Sequence, residues 1–155
     1  MAEAQINSPL GPIRVATDGN SITRLRWAKQ GEASAGTPDD PLLQRTAEQL
    51  AEYFGGARDT FDLPLNPAGT DFQKAVWRIM LRIPKGDFRT YGDVADELEG
   101  SARAVGSACG ANPIPIIIPC HRILAAGGKL GGFSAEGGVE DKVWLLKHEG
   151  AMLLL

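Results

Sequence analysis

The chain has 155 residues, of which 43% are hydrophobic and 23% charged, and its formal net charge is −3. This composition predicts a globular protein with a core of ordinary size, built as one domain or as two small ones. No apolar run approaches the length of a membrane span, and the N-terminal "MAEAQINSPLG" lacks the basic flank and apolar run of a signal peptide. We therefore expect a cytoplasmic protein without a membrane partner.

Charge and metal-ligand residues narrow the function classes further. Residues 1–70 carry six Lys/Arg and nine Asp/Glu, whereas residues 71–155 carry ten of each. Any nucleic acid would therefore be held by a few local cations of the C-terminal half, not by a strong overall field. With two Cys, two His and no Cys-x-x-Cys or His-x-x-x-His spacing, no metal site is expected. A disulfide between Cys109 and Cys120 is not expected inside a cell.

The N-terminal half predicts short strands followed by one helix. Within residues 4–28, "GPIRVATD" and "SITRLRWA" alternate apolar and polar residues around the turn "DGN". After a polar loop, residues 41–54 predict a helix that begins with proline. Its predicted apolar stripe comprises Leu42, Leu43, Ala47, Leu50, Ala51 and Phe54. The Pro- and Gly-rich "FDLPLNPAGT" then places a domain boundary near residue 68, giving domains 1–68 and 69–155.

The C-terminal half predicts helices. Thr70 caps a helix over 71–83, which Pro84 stops. Two short helices over 91–98 and 102–111 follow, and the tight turn between them is typical of a helix-turn-helix.

Thr90 and Ser101 are the predicted caps of this helix pair. A last helix over 139–150 is expected to bury Val143, Trp144, Leu145 and Leu146 and to end at Gly150.

"NPIPIIIPCHRIL", residues 112–124, is the segment most suggestive of chemistry. Its three prolines exclude a helix, so we expect a rigid, extended and buried connection. Cys120 in this setting is either a structural core cysteine or a nucleophile activated by a basic partner. His121 supplies such a partner, although adjacent side chains of an extended chain point apart, so a bridging water or a turn at Pro119 is required.

A histidine that accepts a proton needs an acceptor on its other nitrogen. By residue type Glu136, Asp141 and Glu149 all qualify. Glu149 stands out because the helix dipole disfavours a carboxylate at a helix C-terminus, so its placement there needs a reason.

Three segments together resemble a known family. "RAVGSACGANPIP", "IPCHRIL" and "GGFSAEGGVEDKVWLLKHEG" are closely similar to the O6-alkylguanine-DNA alkyltransferases, or methylated-DNA–protein-cysteine methyltransferases, and the match extends over residues 70–150. The resemblance implies an α+β fold. A small ribonuclease H-like N-terminal domain of sheet plus helix would precede a mostly helical C-terminal domain with a winged-helix-like helix-turn-helix.

The resemblance also implies a reaction. Cys120 would accept the alkyl group from O6 of guanine, or from O4 of thymine, in a single irreversible turnover without a cofactor. His121 would take the thiol proton through a water, and Glu149 would orient His121. Asn112 would shape the active-site loop, and Tyr91 would help to protonate the leaving guanine.

The remaining roles concern DNA and the base pocket. Arg103 would fill the gap left by the flipped base, while the small residues of the second helix would allow close approach to the minor groove of double-stranded DNA. These small residues are Ala102, Ala104, Gly106, Ser107 and Ala108. The expected substrate pocket comprises Pro115, Ile123, Phe133, Ser134 and Lys142. The protein is expected to act as a monomer.

The sequence departs from the family pattern in two places. The stretch from Tyr91 to Arg103 is shorter than in many members, and Phe133 stands where many have tyrosine.

Two other functions fit the residues less well. A non-catalytic lesion-binding module is disfavoured by the presence of Cys120, and a cysteine hydrolase by the adjacency of Cys120 and His121, because hydrolase pairs usually lie far apart in sequence.

Overall fold

The computed structural model describes residues 2–33, 39–130 and 138–151. The chain divides into two units, Met1–Ala68 and Gly69–Leu155. The N-terminal unit is a three-stranded sheet with one helix, and the C-terminal unit is mostly helical. This arrangement confirms the α+β class predicted from the sequence.

The N-terminal sheet is antiparallel, with the strands in the order β1-β2-β3. The strands are β1 (Ala2–Ile6), β2 (Ile13–Thr17) and β3 (Ile22–Trp27). Every residue of β2 is buried, as expected for a central strand covered on both faces. Asp40 caps helix α1 (Pro41–Phe54) by accepting hydrogen bonds from the first backbone N–H groups.

The buried face of α1 differs from the predicted stripe. It contains Leu43, Thr46, Leu50 and Tyr53, whereas Ala51 is exposed. Buried Thr46 donates its hydroxyl hydrogen bond to the carbonyl of Leu42 within the helix, which satisfies a polar atom on the core side. Of the predicted stripe, Leu43 and Leu50 are confirmed as buried, Leu42, Ala47 and Phe54 are partly buried, and only Ala51 is wrong.

In the C-terminal unit, the described residues form four α-helices. They are α2 (Asp71–Leu81), α3 (Tyr91–Leu98), α4 (Ala102–Gly110) and α5 (Gly138–His148). The predicted caps are confirmed: Thr70 and Thr90 form capping boxes with Gln73 and Asp93, and the Ser101 hydroxyl accepts from the N–H of Ala104. Each cap satisfies N–H groups that would otherwise lack partners at a helix start.

Between α4 and α5 the described residues form two 3₁₀ turns and a short strand, which pairs in parallel with a strand that precedes α3. Strand β4 (Arg89–Thr90) pairs with β5 (Ile123–Leu124). One 3₁₀ turn spans Cys120–Arg122 and the other Ala126–Gly128. The first turn corrects the expectation of a fully extended connection at Cys120.

Helix α2 contacts α4 through Trp77, which is 1% exposed. Its indole Nε1 donates a 2.9 Å hydrogen bond to the carbonyl of Ala108 in α4. Gly69 lies directly against the indole, and a Cβ at this position would come within 2.5 Å of the ring. Ala108 is itself buried, so it does not belong to the exposed small residues of α4 with which it was grouped.

Helix α5 buries a different set of residues from the one predicted. Leu145 and Leu146 are buried as expected, but Val143 and Trp144 are only partly buried, and Lys142 is 1% exposed. Trp144 instead stacks on His148, with ring centroids 4.8 Å apart. Among the described helices none has the length and apolar character required to cross a bilayer.

We expect Trp77→Phe to lower the free energy of unfolding by about 1 to 3 kcal/mol, because the buried Ala108 carbonyl loses its donor. Urea unfolding followed by circular dichroism measures this change. Trp144→Phe, at a partly exposed position, is the matched control and should cost less. Equal losses in the two variants would show that the buried hydrogen bond does not matter.

Candidate active site

The candidate site begins with a loop that Asn112 closes. Its side-chain Nδ2 donates a 2.9 Å hydrogen bond to the carbonyl of Ile118, while its Oδ1 accepts a 3.0 Å hydrogen bond from the N–H of Ile114. The N–H of Ile118 donates back to the Ile114 carbonyl. One amide side chain thus satisfies buried backbone groups at both ends of a segment whose prolines cannot donate.

Ile116, inside this loop, has a φ of 73°. The left-handed region is unfavourable for a β-branched residue and costs on the order of 1–3 kcal/mol. The side chain is buried, at 1% exposed. Packing and the Asn112 hydrogen bonds therefore hold a strained backbone immediately before Cys120.

Cys120 starts the 3₁₀ turn and is 6% exposed. Burial raises the pKa of its thiol, and this is opposed by a hydrogen bond from Asn112 and by the positive charge of Lys142. The net shift is upward, so the resting group is a protonated thiol. It requires a base to become a nucleophile.

His121 is completely buried and joins Glu149 through a hydrogen bond of 2.8 Å between Nε2 and Oε2. Glu149 directly follows α5 and is also buried. Of the three carboxylates that the sequence allowed, Glu149 contacts His121, and Glu136 lies outside the described residues. The helix dipole disfavours a carboxylate at this helix end. Hydrogen bonds from His121 and Arg122 to Glu149 offset that cost.

The protonation states of this pair follow from geometry. Burial by itself raises the pKa of Glu149, but hydrogen bonds from His121 and Arg122 outweigh burial and hold the net pKa well below its ordinary value. An ionised carboxylate can only accept, so the His121 proton lies on Nε2 and Nδ1 carries the free lone pair. Nδ1 is buried and has no hydrogen-bond partner within the described ranges.

Burial also lowers the pKa of His121, and the interaction with Glu149 only partly opposes this. The imidazole is therefore neutral at rest. His121 follows Cys120 directly in sequence, and its neutral imidazole has an unprotonated Nδ1. This nitrogen can accept the proton of the thiol.

Arg122 completes the site and was not assigned a role from the sequence. Its Nε and Nη2 donate hydrogen bonds of 2.9 and 3.0 Å to the two oxygens of Glu149, and its Nη1 donates to the carbonyl of Ile83. One sequence signal pointed to it: a charge within a buried apolar run must be paired.

Lys142 projects from α5 and donates a 2.8 Å hydrogen bond to the carbonyl of Ile123. Its pKa is lowered by burial, with Cys120 and Cys109 opposing the shift. Pro115 and Ile123, both assigned to the substrate pocket, are buried. Phe133 and Ser134, the other two pocket residues, lie outside the described residues.

Tyr91 starts α3 and is partly buried. Burial raises the pKa of its phenol, and the nearby sulfurs of Cys109 and Cys120 raise it further. The phenol thus stays protonated. Cys109 and Cys120 are both free thiols, and burial raises the pKa of Cys109 to about 12.

The predicted DNA-contacting residues lie on α4, the second helix of the pair. Arg103 occupies the first turn of α4 and is exposed. Ala102 and Ser107 are also exposed, while Ala104 and Gly106 are partly exposed. Glu99, with φ of 54°, ends α3 in a left-handed cap and allows the turn of only three residues before α4.

The described residues contain no group of three or more His, Cys, Asp or Glu side chains that could hold a metal ion. The site instead consists of the thiol of Cys120, the imidazole of His121 and the carboxylate of Glu149. Arg122 is hydrogen-bonded to that carboxylate. This arrangement can remove the thiol proton at Nδ1 and leave a nucleophilic thiolate, while the phenol of Tyr91 can protonate a leaving group.

Comparison with known proteins identifies relatives of both halves. Residues 71–151 match the model of the 6-O-methylguanine DNA methyltransferase DNA-binding domain, and residues 1–67 match that of its ribonuclease-like domain. The methylated-DNA–protein-cysteine methyltransferase of Mycobacterium tuberculosis is 44% identical over 149 residues, which cover 93% of this chain and 89% of the relative. The corresponding protein of Methanosarcina acetivorans is 40% identical, over 97% of this chain and 99% of the relative.

A solved structure shows the same likeness. The crystal structure of Mycobacterium tuberculosis OGT in complex with DNA superposes with a TM-score of 0.84 and 44% sequence identity, over 96% of this chain and 92% of that one. These findings confirm the resemblance drawn from the three sequence segments.

The buried pair makes a prediction about pH. His121 and Glu149 both have lowered pKa values in the folded protein, so the unfolded chain binds more protons than the folded one. The free energy of unfolding should therefore fall as pH falls. The loss begins below the ordinary histidine value of 6.5 and continues below the ordinary glutamate value of 4.5, at up to about 1.4 kcal/mol per pH unit for each proton.

Urea unfolding at pH values from 8 down to 4 measures this slope. His121→Gln should flatten the upper part of the decline, between pH 6.5 and 5, whereas His148→Gln at a partly exposed position should leave it unchanged. An equal effect of the two replacements would contradict the assignment of a neutral, buried His121.

Proposed function

Because this chain belongs to the 6-O-methylguanine DNA methyltransferase family, we propose that it repairs O6-alkylguanine in duplex DNA by transferring the alkyl group to Cys120. The single observation that carries the assignment of residues is the buried array of Cys120, His121 and Glu149, with Nδ1 of His121 unpartnered among the described residues. The presence of a thiol in this array disfavours a module that only binds lesions.

The chemical steps follow from the protonation states. The thiol proton of Cys120 passes through a bridging water to Nδ1 of His121, and Glu149 stabilises the imidazolium that forms. The thiolate attacks the alkyl carbon, so an S–C bond forms as the C–O6 bond breaks and its electron pair leaves with guanine. Tyr91 donates a proton to the departing base, and its phenolate is reprotonated at the expense of the His121 imidazolium, through solvent. The net change moves one proton from sulfur to guanine and one alkyl group from guanine to sulfur.

The product is a thioether, and no step of the proposed reaction returns it to the thiol. Each molecule therefore acts once and needs no cofactor. A methyl group placed on Cys120 is added to a residue that is only 6% exposed, and overpacking of a buried position is destabilising.

Access to Cys120 requires that the target base leave the duplex, at a cost of a few kcal/mol. The exposed Arg103, in the first turn of α4, is placed to enter the vacancy and offset that cost. The small residues around it allow α4 to approach the minor groove closely. The chain is proposed to act on DNA as a monomer, with binding that weakens as salt increases.

Intact mass after incubation with duplex DNA containing one O6-methylguanine tests the reaction. The protein should gain the mass of one CH2 group, at no more than one equivalent, and peptide mapping should place it on Cys120. Cys120→Ser should abolish the gain, whereas Cys109→Ser, the matched control at the other buried cysteine, should retain it. Repeated turnover by one protein molecule would refute the proposal.

Replacing Arg103 tests base flipping separately from chemistry. Arg103→Ala should slow repair of duplex DNA by at least about tenfold, since the vacancy in the stack is no longer filled, but should barely change the reaction with free O6-benzylguanine. Arg78→Ala, at an exposed position on α2, controls for the loss of a positive charge. Equal slowing on both substrates would count against the role of Arg103.

A further inference from the structure

We propose that Arg122 is a positioning residue of the transfer reaction: it holds the Glu149 carboxylate so that the His121–Glu149 pair keeps only the Nε2 proton and takes up no second proton until Cys120 releases one. This inference rests on the proposed function and adds a fourth member to its proton relay. Arg122 touches neither the sulfur nor the base pocket in any described contact, so its effect passes through Glu149.

Arg122 donates hydrogen bonds to both carboxylate oxygens of Glu149. Nε donates to Oε1 over 2.9 Å and Nη2 to Oε2 over 3.0 Å, while His121 Nε2 reaches the same Oε2 at 2.8 Å. Oε2 therefore serves the arginine and the histidine together. A planar guanidinium fixes the carboxylate plane in a way that a lysine ammonium, with its point charge, does not.

The arginine is itself fixed from the opposite side. Its Nη1 donates to the carbonyl of Ile83, two residues beyond the end of α2. Arg122 thus connects the segment after α2, the 3₁₀ turn and the residue after α5. The orientation of His121 is consequently set by three parts of the C-terminal unit, not by Glu149 alone.

Electrostatics explains why a second cation is useful here. A buried carboxylate with histidine as its only partner would favour a bound proton, either on the imidazole or on the carboxylate. Arg122 neutralises the carboxylate without contributing a transferable proton, since guanidinium is not deprotonated in proteins. The lone pair on Nδ1 then remains available for the Cys120 proton.

The charged and titratable groups that face His121 come from two places. Cys120 and Arg122 flank it in the 3₁₀ turn, and Lys142 and Glu149 lie on or just after α5. Arg122 and Lys142 both disfavour an imidazolium, while Glu149 favours it. Arg122 donates hydrogen bonds to Glu149, and Lys142 donates one to the carbonyl of Ile123.

The test measures where the pair binds its proton. The chain contains two histidines, so a His148→Gln background leaves His121 as the single imidazole for ¹⁵N NMR titration. In this background Arg122→Gln and Arg122→Met remove the charge, and Arg122→Lys keeps it. The rate of alkyl transfer from free O6-benzylguanine is measured at the same pH values.

With either neutral replacement, the apparent pKa of the His121–Glu149 pair should rise by about 1 unit or more. The acidic limb of the pH–rate profile should move to higher pH by the same amount. With Arg122→Lys the pKa should stay close to that of the parent, while the rate falls at every pH because the carboxylate plane is no longer fixed. Two neutral variants are used so that the test survives if one of them does not fold.

A purely structural Arg122 gives a different result. The rate would then fall equally across the pH range in all variants, with the titration of His121 unchanged, and the proposal would be overturned. A rise in Arg122→Lys as large as in Arg122→Gln would also overturn it, because charge would not be the cause. The titration requires no substrate, so a failure of methyl transfer to Cys120 in the parent would refute the proposed function without deciding this test.

Discussion

The candidate site depends on one buried anion, the carboxylate of Glu149. It is shared by His121 and Arg122 through three hydrogen bonds of 2.8 to 3.0 Å. A buried carboxylate without such partners would take up a proton, and the imidazole would lose the acceptor that fixes its tautomer. The helix end of α5, the 3₁₀ turn and the segment after α2 therefore meet where they do because each supplies a group that this charge needs.

Burial of the nucleophile and its activation work against each other in this protein. The same apolar surroundings that raise the pKa of Cys120 also lower that of His121, so at rest the proton remains on sulfur. Such a thiol is inert toward most electrophiles. In the proposed reaction, the substrate brings the alkyl carbon to the sulfur while Nδ1 of His121 takes the proton. The reaction is thereby restricted to a nucleobase that can enter the site.

Local sequence patterns predicted the helices and their caps well, because caps at Thr70, Thr90 and Ser101 act within one turn. The burial of Lys142 and the face of α1 could not be predicted this way, since both depend on which polar groups find partners after packing. Residue types alone directed attention to Cys120, His121 and Glu149, and the family resemblance added the reaction. It left Arg122 unassigned, because the arginine acts through a carbonyl 39 residues away in sequence and through a carboxylate that already had an assigned partner.

The loop before Cys120 gives the site its precision at an energetic cost. Ile116 is held in the left-handed region, and a strained conformation of this kind persists only when its surroundings over-determine it. Asn112 does so by satisfying the Ile114 N–H and the Ile118 carbonyl together. A loop fixed in this way cannot readily yield to a larger group on the neighbouring sulfur. The rigidity that positions the thiol for one transfer is therefore also what makes the alkylated site a poorer fit for its own packing.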